Sequence, residues 1–286
     1  MKFTRLRKKY HDEICKKLLG VKKDRKKGDY PNNADGDSKI SVRIAWEILH
    51  QICGNPTYTK ISGQKAGTIF QQITQDFLKE TFTLLHHIRP GKWIYSINTA
   101  ISKFDQYRDL AAIDQLIKNN PELATTLGSD YIVSPDIVIG RYPEMESEIN
   151  KRQELVSPDD LIAKLTPLRQ ANLRQSEPIL HASISCKWTL RSDRAQNSRT
   201  EALNLIRNRK GNLPHIVAVT AEPTTTRIAS LALGTGDIDC VYHFALNELQ
   251  TAISKIGDES QADMLNILIK GRRLRDITDL PFDLAI

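Results

Sequence analysis

The sequence predicts an α/β fold: a central mixed β-sheet of about five strands flanked by helices. Three observations carry this. Short apolar, β-branched runs at 129–142, 214–223 and 237–244 have the length and composition of strands. Longer stretches between and around them place apolar residues at helical spacing. The strand-like runs are apolar almost throughout, as in strands covered on both faces.

In chain order, residues 1–29 carry twelve Lys/Arg against four Asp/Glu, with Leu6, Tyr10, Ile14 and Leu18 at helical spacing. This predicts a basic helical N-terminal arm, either packed on the body by its apolar stripe or tracking phosphates. "KKGDYPNNADGDSK" follows and has loop composition. "SVRIAWEILHQICG" (41–54) predicts a helix with a serine start and a glycine stop. "GQKAG" (63–67) predicts a turn, and 68–88 a long central helix. Residues 105–118 and 121–127 also have helical patterns. Beyond strand 129–142, a helix is expected at 159–175. "ILHASISCKWTL" (179–190) alternates: Ala182, Ile184, Cys186 and Trp188 on one face, His181, Ser183, Ser185 and Lys187 on the other. A helix at 195–209 ends at Gly211, strands follow at 214–223 and 237–244, and two helices precede the tail. No linker or internal repeat interrupts the chain, so residues 1–286 are expected to form a single domain.

The formal net charge of +7 points toward a polyanionic partner. Cys15, Cys53, Cys186 and Cys240 have no CxxC spacing, which predicts four reduced thiols in a cytoplasmic protein. No run approaches a membrane span, and the first residues lack a signal peptide's apolar core.

The chemistry gathers in two strands. Asp136 follows a proline at the head of an apolar strand, and Lys187 ends the alternating one. An Asp and a (Glu/Asp)-x-Lys on neighbouring strands is the signature of PD-(D/E)xK nucleases. Phosphodiester hydrolysis needs a cation opposite the developing charge and a positioned water. Asp136 suits the first need and Lys187 the second, while alternation turns Cys186 toward the core. The expected second acid is missing, because Ser185 stands there. Glu201 is a candidate replacement, but "SRTE" (198–201) equally fits a capping box with Ser198 as N-cap. Arg191, Asp193 and Arg194 suit guanine and cytosine edges in the major groove, or a surface ion-pair cluster.

The stretch "LHASISCKWTLRSDRAQNSRTEALNLIRNRKG" (180–211) resembles the NgoMIV family of type II restriction endonucleases. The likeness continues through 213–246 and "DITDLPFDLAI" (276–286), and includes "HIRPGKW" (87–93) and "NPELATTLGSDYIVSPDIV" (120–138). The resemblance implies a restriction-endonuclease-like fold and Mg²⁺-dependent cutting of GCCGGC after the first G, leaving four-base 5′ CCGG overhangs. It implies two Mg²⁺ per site, with Asp136 bridging and the Cys186 carbonyl able to ligate, and catalytic roles for Ser185, Lys187 and Glu201. It assigns Arg191, Asp193 and Arg194 to the inner CCGG, Asp35 and Arg227 to the outer pair, and Gln64 to the minor groove. It further implies double-stranded DNA as substrate, a homodimer at least and a tetramer by family habit, and a cognate methyltransferase. Two departures stand out: Gln71 replaces a family glutamate of the active site, and Asp37 replaces a serine. Gln71 leaves open a DNA-binding protein of this fold with weakened catalysis.

Overall fold

The structure, a computed structural model, describes residues 1–120, 122, 125, 133–171, 177–190, 192–234 and 236–286, without the side chains of 114 and 192–195. The expected helix at 121–127 and the start of the expected strand at 129–132 therefore fall largely outside the described residues. The chain divides into two compact units: Met1–Leu85 with Ile184–Ala202 and Ile216–Ile286, and His86–Ser183 with Leu203–His215.

The first unit opens with helix α1 (Lys2–Lys17), a short ladder of β1 (Val21–Lys22) with β2 (Tyr30–Pro31), and helices α2 (Lys39–Cys53) and α3 (Gly63–Thr83). The basic helix packs by its apolar stripe. Tyr10, Ile14 and Leu18 are buried, and the Tyr10 ring lies 4.9 Å from Phe77 on α3. Its helix stops at Lys17, well short of residue 29. Helix α2 starts earlier than expected because Ser38, in extended backbone, caps it by accepting from the Ser41 amide. Ser41 instead accepts the Asp35 amide at 3.0 Å. "GQKAG" is not a turn: Ser62 caps the helix ahead of it, so both glycines lie in the first turns of α3. Cys15 and Cys53 form a disulfide between α1 and α2, correcting the expectation of four free thiols. The 38-residue separation matched no sequence pattern, but helix packing brings their Cα atoms to 5.4 Å.

The second unit pairs β3 (Trp93–Ile97) antiparallel with β4 (Ile137–Arg141). It also holds α4 (Asp109–Lys118), α5 (Glu146–Ile149) and the first half of β5 (Ile179–Lys187). The helix expected at 159–175 does not form over the described part. Pro167 interrupts it, and Arg169 ties the segment instead: the guanidinium donates to the Ile162 and Ser157 carbonyls and the Glu146 carboxylate. Leu161, Ile162 and Leu165 are left exposed.

Strand β5 runs on into the first unit, followed by α6 (Ser192–Asn208), β6 (His215–Thr220), α7 (Thr225–Ala232), β7 (Cys240–His243), α8 (Leu246–Ile256), α9 (Glu259–Lys270), β8 (Leu274–Asp276) and α10 (Leu280–Asp283). Strands β6, β7 and β8 are parallel, joined by helical crossovers. The sheet has six strands in the order β3-β4-β5-β6-β7-β8, one more than expected. The patterns missed β3, which is half-buried throughout, and the short, charged β8. Ile137–Ile139 and Val217–Val219 are buried, as covered strands require. No helix of the described residues is long and apolar enough to cross a membrane.

Candidate active site

The end of β5 alternates as its sequence dictates. Ile184 and Cys186 are buried, while Ser185 and Lys187 are half-buried on the opposite face. The Lys187 carbonyl accepts from the Thr220 hydroxyl at 2.8 Å and the Ala221 amide at 3.2 Å, which fixes the strand end against β6.

Helix α6 meets this polar face. Ser185 Oγ and Ser198 Oγ are hydrogen-bonded at 3.0 Å, with Ser198 buried. Because α6 begins at Ser192, Ser198 sits inside the helix and cannot be its N-cap. The capping-box reading of "SRTE" therefore fails. Glu201, three residues on, shares the helix face of Ser198 and is half-buried. Gln71 is buried on α3, and its neighbour Phe70 packs edge-on against Trp188, centroids 5.2 Å apart, just beyond Lys187. Asp136 belongs to the second unit, half-buried at the bend before β4, where its carbonyl accepts the Asn98 amide at 3.3 Å.

A cleft of about 950 Å³ in the first unit is lined by Lys22, Lys27, Asp35, Leu190, Arg199 and Arg227, among others. Asp35 and Arg227 form an ion pair, and Arg227 Nη1 also donates to the Leu190 carbonyl at 3.4 Å. Burial alone would raise the Asp35 carboxyl. The Asp37 amide and the Arg227 guanidinium overcome this and hold it below the usual range. Asp37 pairs with Lys27 at 2.6 Å, so its extra charge at the rim meets a cation. Gln64 is exposed in the first turn of α3, and Gly63 before it lines the cleft. The backbones of Asp193 and Arg194 form the first turn of α6; their side chains, and all of Arg191, lie outside the described residues.

Glu222 went unnoticed in the sequence. It is fully buried, and its carboxylate accepts from the Leu190 amide, the Thr224 amide and the Thr224 hydroxyl. Burial pushes its carboxyl up from the ordinary value. The available signal was a lone acid closing an apolar strand.

Among the described residues, no three His, Cys, Asp or Glu side chains form a ready metal cluster. The donors expected from the sequence, the carboxylates of Asp136 and Glu201 and the carbonyl of Cys186, are all oxygens. A sparse, hard-oxygen set suits Mg²⁺, which keeps waters and takes phosphate oxygens, better than a metal needing a full protein cage.

Residues 10–286 match the family described as NgoMIV restriction enzyme. The type II restriction enzyme NgoMIV of Neisseria gonorrhoeae is 48% identical over 260 residues, covering 89% of this chain and 90% of that one. A match over nearly the whole chain, alongside the mixed sheet flanked by helices, shows that this chain belongs to the NgoMIV restriction enzyme family.

Proposed function

We propose that this protein is a type II site-specific deoxyribonuclease that hydrolyses double-stranded DNA with Mg²⁺. The observation that carries the reading is the Ser185–Ser198 contact, which sets the strand face of Lys187 against the helix face of Glu201. The expected target is GCCGGC, cut after the first G to leave 5′ CCGG overhangs. That site comes from the family resemblance.

In hydrolysis a water oxygen bonds to phosphorus and the bond to the 3′ oxygen breaks, leaving a 5′ phosphate. Lys187 orients the attacking water through its ammonium. Ser185 and Ser198 hold strand and helix together, and the Thr220 hydroxyl fixes the Lys187 backbone. Asp136 and Glu201 would hold Mg²⁺, with the Cys186 carbonyl as a further donor. When bound, Mg²⁺ supplies positive charge opposite the charge that develops on the phosphate. Arg191, Asp193 and Arg194 read the inner CCGG, Asp35 and Arg227 the outer pair, and Gln64 the minor groove.

A palindromic site calls for a twofold protein, so a homodimer is the minimum and a tetramer is expected from the family. The exposed Leu161, Ile162 and Leu165 supply apolar surface suited to assembly. The expected compartment is the cytoplasm, with a cognate methyltransferase protecting the host's own sites.

Plasmid carrying GCCGGC, incubated with protein and Mg²⁺, tests the reading against Lys187→Ala. Double-strand cuts at the site, lost in the variant, are expected. Specific binding without cutting would favour the second reading, a DNA-binding protein with lost catalysis. The observation behind that alternative is Gln71, a neutral amide where the family places a glutamate. No specific binding or cutting with any divalent metal would overturn both.

A further inference from the structure

We propose that Glu222 is a positioning residue that registers the base-reading segments against one another and against the cutting strand. This rests on the reading of the cleft given above and deepens it. The Glu222 carboxylate accepts the Leu190 amide at 3.0 Å, immediately before the "RSDR" run. Its other oxygen accepts the Thr224 amide at 3.2 Å and the Thr224 hydroxyl at 2.5 Å, three residues before Arg227. Two segments far apart in sequence thus hang from one buried side chain.

The connection runs further in both directions. On the reading side, the Leu190 carbonyl accepts from Arg227, which pairs with Asp35. Leu190 is therefore gripped at its amide and its carbonyl, and the segments of "RSDR", Arg227 and Asp35 join one network. On the cutting side, the Glu222 amide donates to the Thr220 hydroxyl at 3.2 Å, and that hydroxyl donates to the Lys187 carbonyl. The Glu222 carbonyl accepts from His243 Nε2 at 3.2 Å. A chain of bonds runs from the lysine strand through Thr220 and Glu222 to the reading loops.

A buried carboxylate is expensive unless its lone pairs are filled, and here three donors from two loops fill them. An apolar residue of the same volume would pack there and leave both loop amides orphaned. Arg227 can also leave Asp35 to read DNA while Glu222 still holds Leu190. The carboxylate thus sets where the readers start, and touches neither DNA nor the scissile phosphate.

Glu222→Gln tests this. A glutamine amide nitrogen cannot accept and turns a donor toward a loop donor, so the side chain that both segments share is displaced whichever way it turns. Hydrogen–deuterium exchange is expected to rise in peptides spanning 188–196 and 223–228 together, while α2 and α9 keep their protection. Cleavage at GCCGGC relative to sites differing by one base pair is expected to lose about tenfold in discrimination, with kcat at the cognate site changed less. Glu222→Asp keeps the charge at a shorter reach and should recover part of the discrimination. It also serves as the test variant if the glutamine protein fails to fold. Exchange that rises in only one segment, in neither, or evenly through the chain overturns the proposal. So does a lost kcat with discrimination intact. If the wild-type protein cuts no DNA, the proposed function fails, and the exchange experiment still decides the role of Glu222.

Discussion

The end of β5 and the wall of the cleft lie in the same unit but hold their polar groups differently. At the strand end, Ser185 and Lys187 take their direction from regular alternation, and Ser198 and Glu201 from helical spacing. In the cleft wall, Asp35 and Leu190 sit on loops and Arg227 in the first turn of α7, and polar bonds tie the three together. On the proposed function, regular elements would give the cutting groups the fixed positions that attack on one phosphorus demands. Segments tied through a buried carboxylate would be able to exchange partners when DNA arrives, as reading several bases demands.

The largest effect should separate the two regions cleanly. Glu201→Gln should slow cleavage on the order of 10³-fold, or about 4 kcal/mol in the barrier. Folding stability should stay within about 0.5 kcal/mol if the carboxylate serves the chemistry rather than the fold. Cleavage rates set beside denaturant midpoints check this. A variant that loses about 1 kcal/mol of stability and keeps its rate would return Glu201 to a structural role.

The second test probes the buried support of the reading side. His243 Nε2 donates to the Glu222 carbonyl, and Nδ1 accepts the Ala245 amide, so both nitrogens are satisfied in the neutral ring. Burial lowers its pKa from 6.5 to about 4. The unfolded chain therefore takes up this proton first. The stability contributed by the neutral ring is complete above about pH 6.5, falls with pH below that, and is lost by about pH 4, up to about 3 kcal/mol. Denaturation of wild type and His243→Gln at pH 7, 5.5 and 4.5 isolates the contribution. A wild-type curve parallel to the variant's would break the argument.

The same contrast explains what the sequence could and could not reveal. Ser185, Cys186 and Lys187 were legible because strand alternation is a period-two signal that the structure keeps. Glu201 was ambiguous because "SRTE" fits a helix start locally, and only the true start at Ser192 resolves it. Glu222 stood out only as a lone acid after an apolar strand, and its role was illegible because it lies in the Leu190 amide, 32 residues away. The Cys15–Cys53 bridge was hidden for the same reason: it depends on how α1 packs against α2. The helix expected at 159–175 failed because a periodic pattern does not register one buried arginine that satisfies several loop carbonyls. β8 is too short for any periodicity to appear.

A third test asks whether the cleft pair reads bases. Arg227→Lys keeps the charge but loses the planar fork that grips both Asp35 and the Leu190 carbonyl. Discrimination at the outer base pair should fall by roughly tenfold, with the inner CCGG preference retained. Cleavage of a panel of single-substitution sites measures this. Uniform loss across all six positions would instead mark Arg227 as a general phosphate contact.

The smallest effect concerns Gln71, the departure on α3. It is buried on α3, next to the Phe70 ring that packs on Trp188. A neutral amide costs less to bury than a carboxylate, but it adds no charge for a cation. Gln71→Glu should therefore destabilise the metal-free protein by about 1 to 2 kcal/mol. In exchange, the Mg²⁺ concentration for half-maximal cleavage should fall a few-fold, equivalent to less than about 1 kcal/mol. Thermal melts with and without Mg²⁺ and an Mg²⁺ titration of cleavage read the two effects separately. If added Mg²⁺ restores stability to the variant, residue 71 faces the cation and belongs to the cutting region. Destabilisation that Mg²⁺ cannot reverse, with an unchanged titration, would place it in the core that supports that region.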